Sequence, residues 1–552
     1  MLYSILRQKN IKQVLLLLAI SFLAYQIAGI IPAMLTVSLG TWMRTVFSVM
    51  PGIVLVAIIA LWNPSGQTVR FVCPKFPSIK NILSKRNLML LLPVCFLCGE
   101  ITFWLITHFP VFTLVGQVIL FGSMFFMLVI GIFKPEFGPV AFFVLYPFLM
   151  FAESRIYWWN WPVMESSNMN EWLKTALFGL ENINVVMLMF ALGFLFSCMS
   201  RIKKIERTML DLLIIMFLLW ITFSLITANE PVEGLRVYFI KWIFPVTIYY
   251  ATLSTVKRTN GIMELQLALV TLLFLSCLLT IQNGVLSGGA SETTDRAMII
   301  SVIGRQIGPL VVLILPLAIS FLYDKILLIY IRILSLLAIV LSFIMILWEM
   351  QRMVFLCSGF MIMLAFLLYP QRRKWYVPLG AMVGIVIFIS FEKIIMLVEF
   401  LRPAILEGNP LAASQNLDRV YLWEKALGII KDNPFLGIGP GGFRFLQIGL
   451  HTPEVGSHNI FLEVALESGI VASVLFATMY FLPIVNYFVS SIKKTSMKYE
   501  RDLRPWIISL SVYAFYLQFH TPWVWGYGII VFCMLAVVVG TIKKAENRAL
   551  SV

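Results

Sequence analysis

The feature that most constrains this chain is repeated along its length: runs of about twenty apolar residues, separated by short polar connections. A helix of that length crosses the hydrocarbon core of a bilayer while satisfying its own backbone hydrogen bonds. We count about sixteen such runs, or about fourteen if the shortest are re-entrant. The sequence therefore predicts an all-α fold, a polytopic integral membrane helix bundle of about 14–16 transmembrane helices.

The composition agrees with a membrane protein and excludes soluble classes. Hydrophobic residues make up 60% and charged residues 12%, whereas soluble domains have roughly 45–50% and 25%. The formal net charge is +15, but the basic residues lie in short runs between apolar stretches, which indicates membrane topology and not nucleic-acid binding. Most of the seven cysteines lie within apolar runs, so neither a disulfide framework nor a zinc site is predicted.

The charge of the connections predicts their sides. Lys and Arg cluster in several short connections, which the positive-inside rule places in the cytoplasm together with both termini: 70–86, 201–207, 257–258, 372–374, 493–504 and 543–544. The mixed-charge connections then lie outside: 153–181, 229–235, 283–297 and 392–467. The last is the only long connection, and long loops in compact chains are usually functional.

This pattern divides the chain into four segments. Residues 1–200 hold the N-terminal transmembrane helices, 201–400 the central transmembrane helices, 401–467 an external (periplasmic) catalytic loop with helical structure, and 468–552 the C-terminal transmembrane helices.

The long loop contains a predicted helix followed by a glycine-rich turn. Residues 416–431 place Val420, Trp423, Leu427 and Ile430 at helical spacing, and Asn433-Pro434 ends that helix. Glycines follow at 437, 439, 441 and 442. Because the lysine of a nucleotide-binding loop is absent, we expect a flexible turn that lets the backbone approach a ligand.

A second helix is predicted to start at His458, with Ser457 as its cap. The positive end of the helix dipole favours neutral imidazole, which can accept a proton. Glu463 and Glu467 follow one turn apart. They could form an acid/base pair, but we favour a structural role, either orienting His458 or pairing with arginine.

Taken in order, these motifs resemble the O-antigen ligase and O-antigen polymerase (Wzy-type) superfamily of bacterial membrane glycosyltransferases. The residues that carry the resemblance are Asp418-Arg419, Trp423, Asn433-Pro434, the glycine-rich turn, His458-Asn459, Glu463, Glu467 and Gly469. The resemblance is dense over roughly residues 415–475 and looser over about 200–541.

The resemblance implies glycan transfer from an undecaprenyl diphosphate-linked donor to a glycan or lipid-linked acceptor, without nucleotide sugar, metal or other cofactor. It implies a multi-pass protein of the bacterial cytoplasmic (inner) membrane with its active site on the external side. The expected partners are these two substrates, membrane lipids and a chain-length regulator, and no nucleic acid.

Residue roles follow from the chemistry of that transfer. An attacking hydroxyl needs a general base, for which we predict His458. The departing diphosphate needs cationic hydrogen-bond donors, for which we predict Arg419, Arg352, Arg305 and Arg236. Asn459, Glu463 and Trp423 are predicted to support them, with no metal ligands.

Three functions stay open at this point. A Wzy-type polymerase that joins lipid-linked repeats is favoured by the chain's size and additional helices. A ligase that moves a finished glycan to lipid A core or another acceptor shares the donor chemistry. A flippase for lipid-linked glycan should carry charges along its spans, whereas here the ionisable residues concentrate outside them.

Overall fold

The structure, a computed structural model, describes residues 114–147, 182–200, 207–228, 231–286, 305–324, 327, 329–349, 352–368, 414–445, 457–492, 497–518 and 527–549. Within these ranges the regular elements are helical and no strand occurs. The predicted all-α membrane bundle is confirmed. Its count of 14–16 spans stays a prediction, because residues 1–113 and several connections lie outside the described ranges.

The helices are labelled here in chain order. They are α1 Leu114–Phe133, α2 Asn182–Met199, α3 Asp211–Ser224, α4 Pro231–Tyr238, α5 Phe244–Val256, α6 Gly261–Leu286, α7 Arg305–Tyr323, α8 Ile329–Glu349, α9 Arg352–Leu368, α10 Ser414–Asp432, α11 Ile460–Ile492, α12 Met497–Tyr516 and α13 Tyr527–Ala549. A π-helical turn, Phe239–Ile243, joins α4 to α5.

Four of the described helices are long and apolar enough to cross a membrane. The stretches are Gly261–Leu278, Ile329–Ile346, Ile460–Val489 and Tyr527–Glu546. The second of them is two-faced, since Ala338 and Ser342 are fully buried while Ile333 and Leu337 are 50% and 45% exposed. Apolar side chains on both faces are typical of a helix that packs on protein on one side and on lipid on the other.

The chain forms two compact units. The first comprises Met1–Asn168, Glu181–Lys204 and Phe274–Arg305, and the second comprises Met169–Leu180, Ile205–Leu273 and Gln306–Val552. In the first unit α1 packs on α2. The described residues of the long loop, 414–445 and 457–467, lie in the second unit. The four-segment division predicted from hydropathy stays a prediction.

In the second unit α5 packs along α13, α3 on α11, and α9 on α12. Lys544 Nζ donates to the Val256 carbonyl at 3.3 Å, and Lys543 donates to the Arg207 carbonyl. Three of the basic connections therefore meet at one end of these helices. Their cytoplasmic location stays a prediction.

Candidate active site

The loop helix predicted at 416–431 is α10, Ser414–Asp432. Its buried stripe is Leu422, Ala426 and Ile430, which pack on Ala465 and Leu466 of α11. Leu427, expected on the buried face, is 57% exposed. The reason is the small side chain of Ala426, which lets α10 approach α11 on the neighbouring face.

The turn after α10 begins where Asn433-Pro434 was predicted to end the helix. The Asn433 N–H donates to Ile429 at 2.9 Å, and the next residues leave the helix. Gly437, Gly439 and Gly441 all have positive φ. At Gly437 a Cβ would lie 2.3 Å from the Leu466 carbonyl oxygen, so only glycine fits there. The turn therefore approaches the main chain of α11 at Gly437, and it approaches that of Ala228 at Gly439, where a Cβ would lie 2.3 Å from the Ala228 Cα.

Helix α11 is broken at Gly469, which has φ 85° and ψ 166°. The break frees the carbonyls before it and the amides after it. Ile438 and Gly439 of the turn donate to the Leu466 and Glu467 carbonyls at 3.0 and 2.9 Å. The turn thus replaces the hydrogen bonds that a continuous helix would make.

Two further hydrogen bonds complete this replacement. The Ile470 N–H donates to the Pro434 carbonyl at 2.9 Å. The Trp220 indole N–H, from α3, is shared between the carbonyls of Phe435 and Ser468, each at 3.1 Å. The residues Ile460–Ser468 therefore form a short helical segment, distinct from the rest of α11; we call it the broken segment.

The prediction that Ser457 caps a helix starting at His458 is wrong. The helix starts at Ile460, and Asn459 is its N-cap, because its Oδ1 accepts from the Phe461 and Leu462 amides at 3.0 and 3.1 Å. Asparagine is as good an N-cap residue as serine. From position 459 its side chain reaches the amides of the first helical turn. His458 consequently lies just before the N-cap and not in the first turn of the helix.

His458 is half-buried and adopts a left-handed backbone conformation, φ 57°. Its neighbours are tied to two helices. The Trp423 indole N–H of α10 donates to the Ser457 carbonyl at 2.9 Å. Asn459 Nδ2 donates to Gln518 Oε1, just after α12, at 3.2 Å. Trp423 and Asn459, both predicted as supporting residues, thus fix the backbone on either side of the predicted base.

Glu463 and Glu467 lie on one face of the broken segment and meet a lysine. Lys241 Nζ, in the π-helical turn, lies 2.6 Å from Glu463 Oε1 and 3.1 and 3.2 Å from the two Glu467 oxygens. Lys241, Glu463 and Glu467 are 2%, 1% and 4% exposed, respectively. Of the two expected roles, pairing is observed, with a lysine in place of an arginine.

An aromatic cluster holds the π-helical turn against α3 and α11. The Trp242 ring lies edge-on to Phe217, with centroids 4.7 Å apart, and its centroid is 5.4 Å from that of Phe476. Trp242 is 1% exposed. This packing fixes the position from which Lys241 reaches the glutamates.

Lys241 is the residue that sequence reasoning missed. A signal was present, since it is the one lysine within the apolar run 236–255, and an ionisable residue inside a span is a functional hypothesis by default.

The predicted arginines lie on four different helices. Arg236 is on α4 and is half-buried, five residues before Lys241. The backbones of Arg305, Arg352 and Arg419 are placed at the first residue of α7, the first residue of α9 and within α10. The side chains of these three are outside the described residues. Within the described ranges no group of three or more His, Cys, Asp or Glu is arranged to hold a metal ion.

Residues 337–477 match the family model described as O-antigen ligase. This match covers about a quarter of the 552-residue chain and contains α10, the glycine-rich turn, His458 and the broken segment. The resemblance stated from the sequence is confirmed, and it supports a glycosyltransferase-like enzyme of the O-antigen ligase and polymerase type. Comparisons with curated proteins and with solved structures gave no significant match.

Proposed function

We propose that this protein polymerises undecaprenyl diphosphate-linked oligosaccharide repeats into a surface polysaccharide. The observation that carries the proposal is the family match over 337–477, within which His458 is held between anchored neighbours. The length of the chain, 552 residues, and the additional N-terminal spans predicted from its sequence favour a polymerase over a ligase.

The proposed reaction is a displacement at the anomeric carbon of the donor. An acceptor hydroxyl attacks, a glycosidic C–O bond forms, and the C–O bond to the diphosphate breaks. Undecaprenyl diphosphate leaves with the bonding electrons, and His458 takes the hydroxyl proton as general base. Arg419, Arg352, Arg305 and Arg236 offset the charge on the departing diphosphate through charge-assisted hydrogen bonds.

The proposed setting is the bacterial cytoplasmic membrane, with the site on its external side and both termini in the cytoplasm. This setting is supported by the membrane-type helices and the basic ends of α5 and α13. A chain-length regulator is a proposed partner, because a polymerase alone does not define product length.

A ligase is the second candidate, and it fits the matched family equally well. The two enzymes share the donor and the base and differ in the acceptor. A ligase would transfer the finished glycan to lipid A core or another acceptor.

The test is the lipid-linked glycan that accumulates in cells lacking the protein. Single repeats on undecaprenyl diphosphate support the polymerase, whereas long undecaprenyl-linked chains support the ligase. Unchanged surface glycan and no accumulated intermediate would contradict both. Expression of the wild-type gene from a plasmid in the same strain is the control, and it should remove the accumulated lipid.

A further inference from the structure

Two backbone irregularities meet at Lys241, Glu463 and Glu467. Lys241 lies in the π-helical turn Phe239–Ile243, and the glutamates lie on the broken segment, which ends at Gly469. π-Helical turns inside helices are frequent at functional sites because the extra residue redirects a side chain. Here the redirected side chain is an ammonium that reaches two carboxylates on another helix.

Burying the three charged groups of this ion cluster costs desolvation free energy, which offsets the attraction between them. All three residues are at most 4% exposed, and a buried ion pair is often no better for stability than apolar residues of the same volume. Two carboxylates share one ammonium, and Glu463 Oε2 has no hydrogen-bond partner among the described residues. Stability alone therefore does not account for three charges at this position.

What the cluster does achieve is fixed geometry. It joins the α4–α5 helix to one face of the broken segment. The segment is held at its start by the Asn459 cap and at its end by the hydrogen bonds around Gly469. Lys241 adds the lateral restraint that neither end supplies. His458 directly precedes Asn459, the cap of this segment.

We infer that Lys241, with Glu463 and Glu467, is a positioning site that holds the broken segment, and thereby His458, in the geometry needed for proton transfer. The inference rests on the proposed function, because it assigns the site's purpose through the proposed base. Lys241 itself touches no substrate in this scheme.

The test removes all three charges at once. Lys241→Met alone would leave two buried carboxylates without their cation and could prevent folding. The triple variant Lys241→Met/Glu463→Gln/Glu467→Gln keeps the volumes and is neutral. Its substrate is the lipid-linked glycan extracted from cells lacking the protein. We expect kcat to fall about tenfold or more, with KM for that lipid within about twofold of wild type, since only transition-state geometry is lost.

The matched control is the partly buried pair Arg258–Glu264, 2.8 Å apart, where Arg258→Met/Glu264→Gln should leave kcat unchanged. If the triple variant does not accumulate in membranes, Glu463→Gln is the variant that tests the inference. It retains the Lys241–Glu467 pair, so no buried charge is left without a partner. There we expect a several-fold loss of kcat at unchanged KM.

Three outcomes overturn the inference. A wild-type kcat in the folded triple variant, or in Glu463→Gln where the triple does not accumulate, overturns it while leaving the proposed function intact, provided that His458→Ala is inactive. A rise in KM with unchanged kcat would mean that the cluster shapes substrate binding instead. A wild-type kcat in His458→Ala would overturn the assigned base and this inference together.

Discussion

At the scale of single residues, His458 is the most constrained position of the candidate site. Its φ of 57° is rare outside glycine and costs roughly 1–2 kcal/mol. Two anchored neighbours offset that cost, Ser457 through Trp423 and Asn459 through Gln518 and its capping bonds. The imidazole is thus presented from a backbone that cannot relax without breaking several hydrogen bonds.

We expect His458→Asn and His458→Ala both to abolish glycan transfer. Asparagine tolerates the left-handed conformation, so the Asn variant removes the base without adding backbone strain. The measurement is a glycan ladder from complemented cells, with membrane levels checked by immunoblot. His451→Ala, the same change in the same predicted loop, is the control. Wild-type ladder lengths in His458→Asn would rule out the general-base assignment.

The arginines give the second residue-scale prediction. Guanidinium binds a diphosphate in bidentate fashion, whereas lysine provides a point charge. We expect Arg419→Lys and Arg352→Lys each to slow turnover roughly tenfold or more and to weaken donor binding, since one charge-assisted hydrogen bond is worth about 1.5–3 kcal/mol. The check is kcat and donor affinity of each variant, with Lys425→Arg, an exposed position on α10, as the control. Near-normal values in both variants would move the search to Arg236 and Arg305.

Sequence reasoning reached the residues that belong to one local motif and missed Lys241, which lies far from that motif in the chain. Asn459 and Trp423 belong to a motif that can be read within forty residues, although the cap itself was assigned to Ser457. Lys241 pairs with Glu463 across 222 positions. No local pattern shows that contact, because it depends on how the π-helical turn lies against α11.

At the scale of elements, the break in α11 decides the shape of the site. Hydropathy shows residues 460–492 as nearly continuous, and the predicted span began at 468. The structure places the discontinuity at Gly469, where hydrogen bonds from the turn after α10 replace those of the helix. The helix and turn were predictable from spacing and from Asn433-Pro434, whereas their docking on α11 is tertiary and was not.

Gly469→Ala should be strongly destabilising. The added Cβ would lie 1.8 Å from the Phe435 carbonyl oxygen at a φ of 85°, so the turn must move and lose its bonds to α11. We expect a loss of more than about 2 kcal/mol, measured as a lower thermal midpoint in detergent. Gly428→Ala is the matched control, because its Cβ meets nothing within 4 Å on exposed α10. That change should stabilise by up to about 1 kcal/mol; equal midpoints for the two variants would contradict this account.

At the scale of the whole molecule, the described helices carry apolar faces that the protein itself leaves uncovered. In α8 the exposed positions include Ile333, Leu336, Leu337 and Val340, at 42–50%. On α11 Val474 and Val485 are 58% and 52% exposed. Faces of this extent on several helices are covered by lipid in a membrane bundle.

If the exposed face of α8 contacts lipid, a charged substitution there should cost more free energy than it would on a face in water. Leu337 lies near the centre of Ile329–Ile346, so Leu337→Arg places a charge at mid-membrane and should cost about 2.5–3.5 kcal/mol of insertion. Were that face in water, the same change would cost within about 0.5 kcal/mol. Leu427→Arg is the control, because Leu427 is exposed on α10, which we place outside the hydrocarbon. The measurement is the membrane-inserted fraction of each variant after carbonate extraction, and we expect a large loss for Leu337→Arg alone. Equal insertion of both variants would mean that α8 does not face lipid, and equal loss would mean that α10 lies within the membrane.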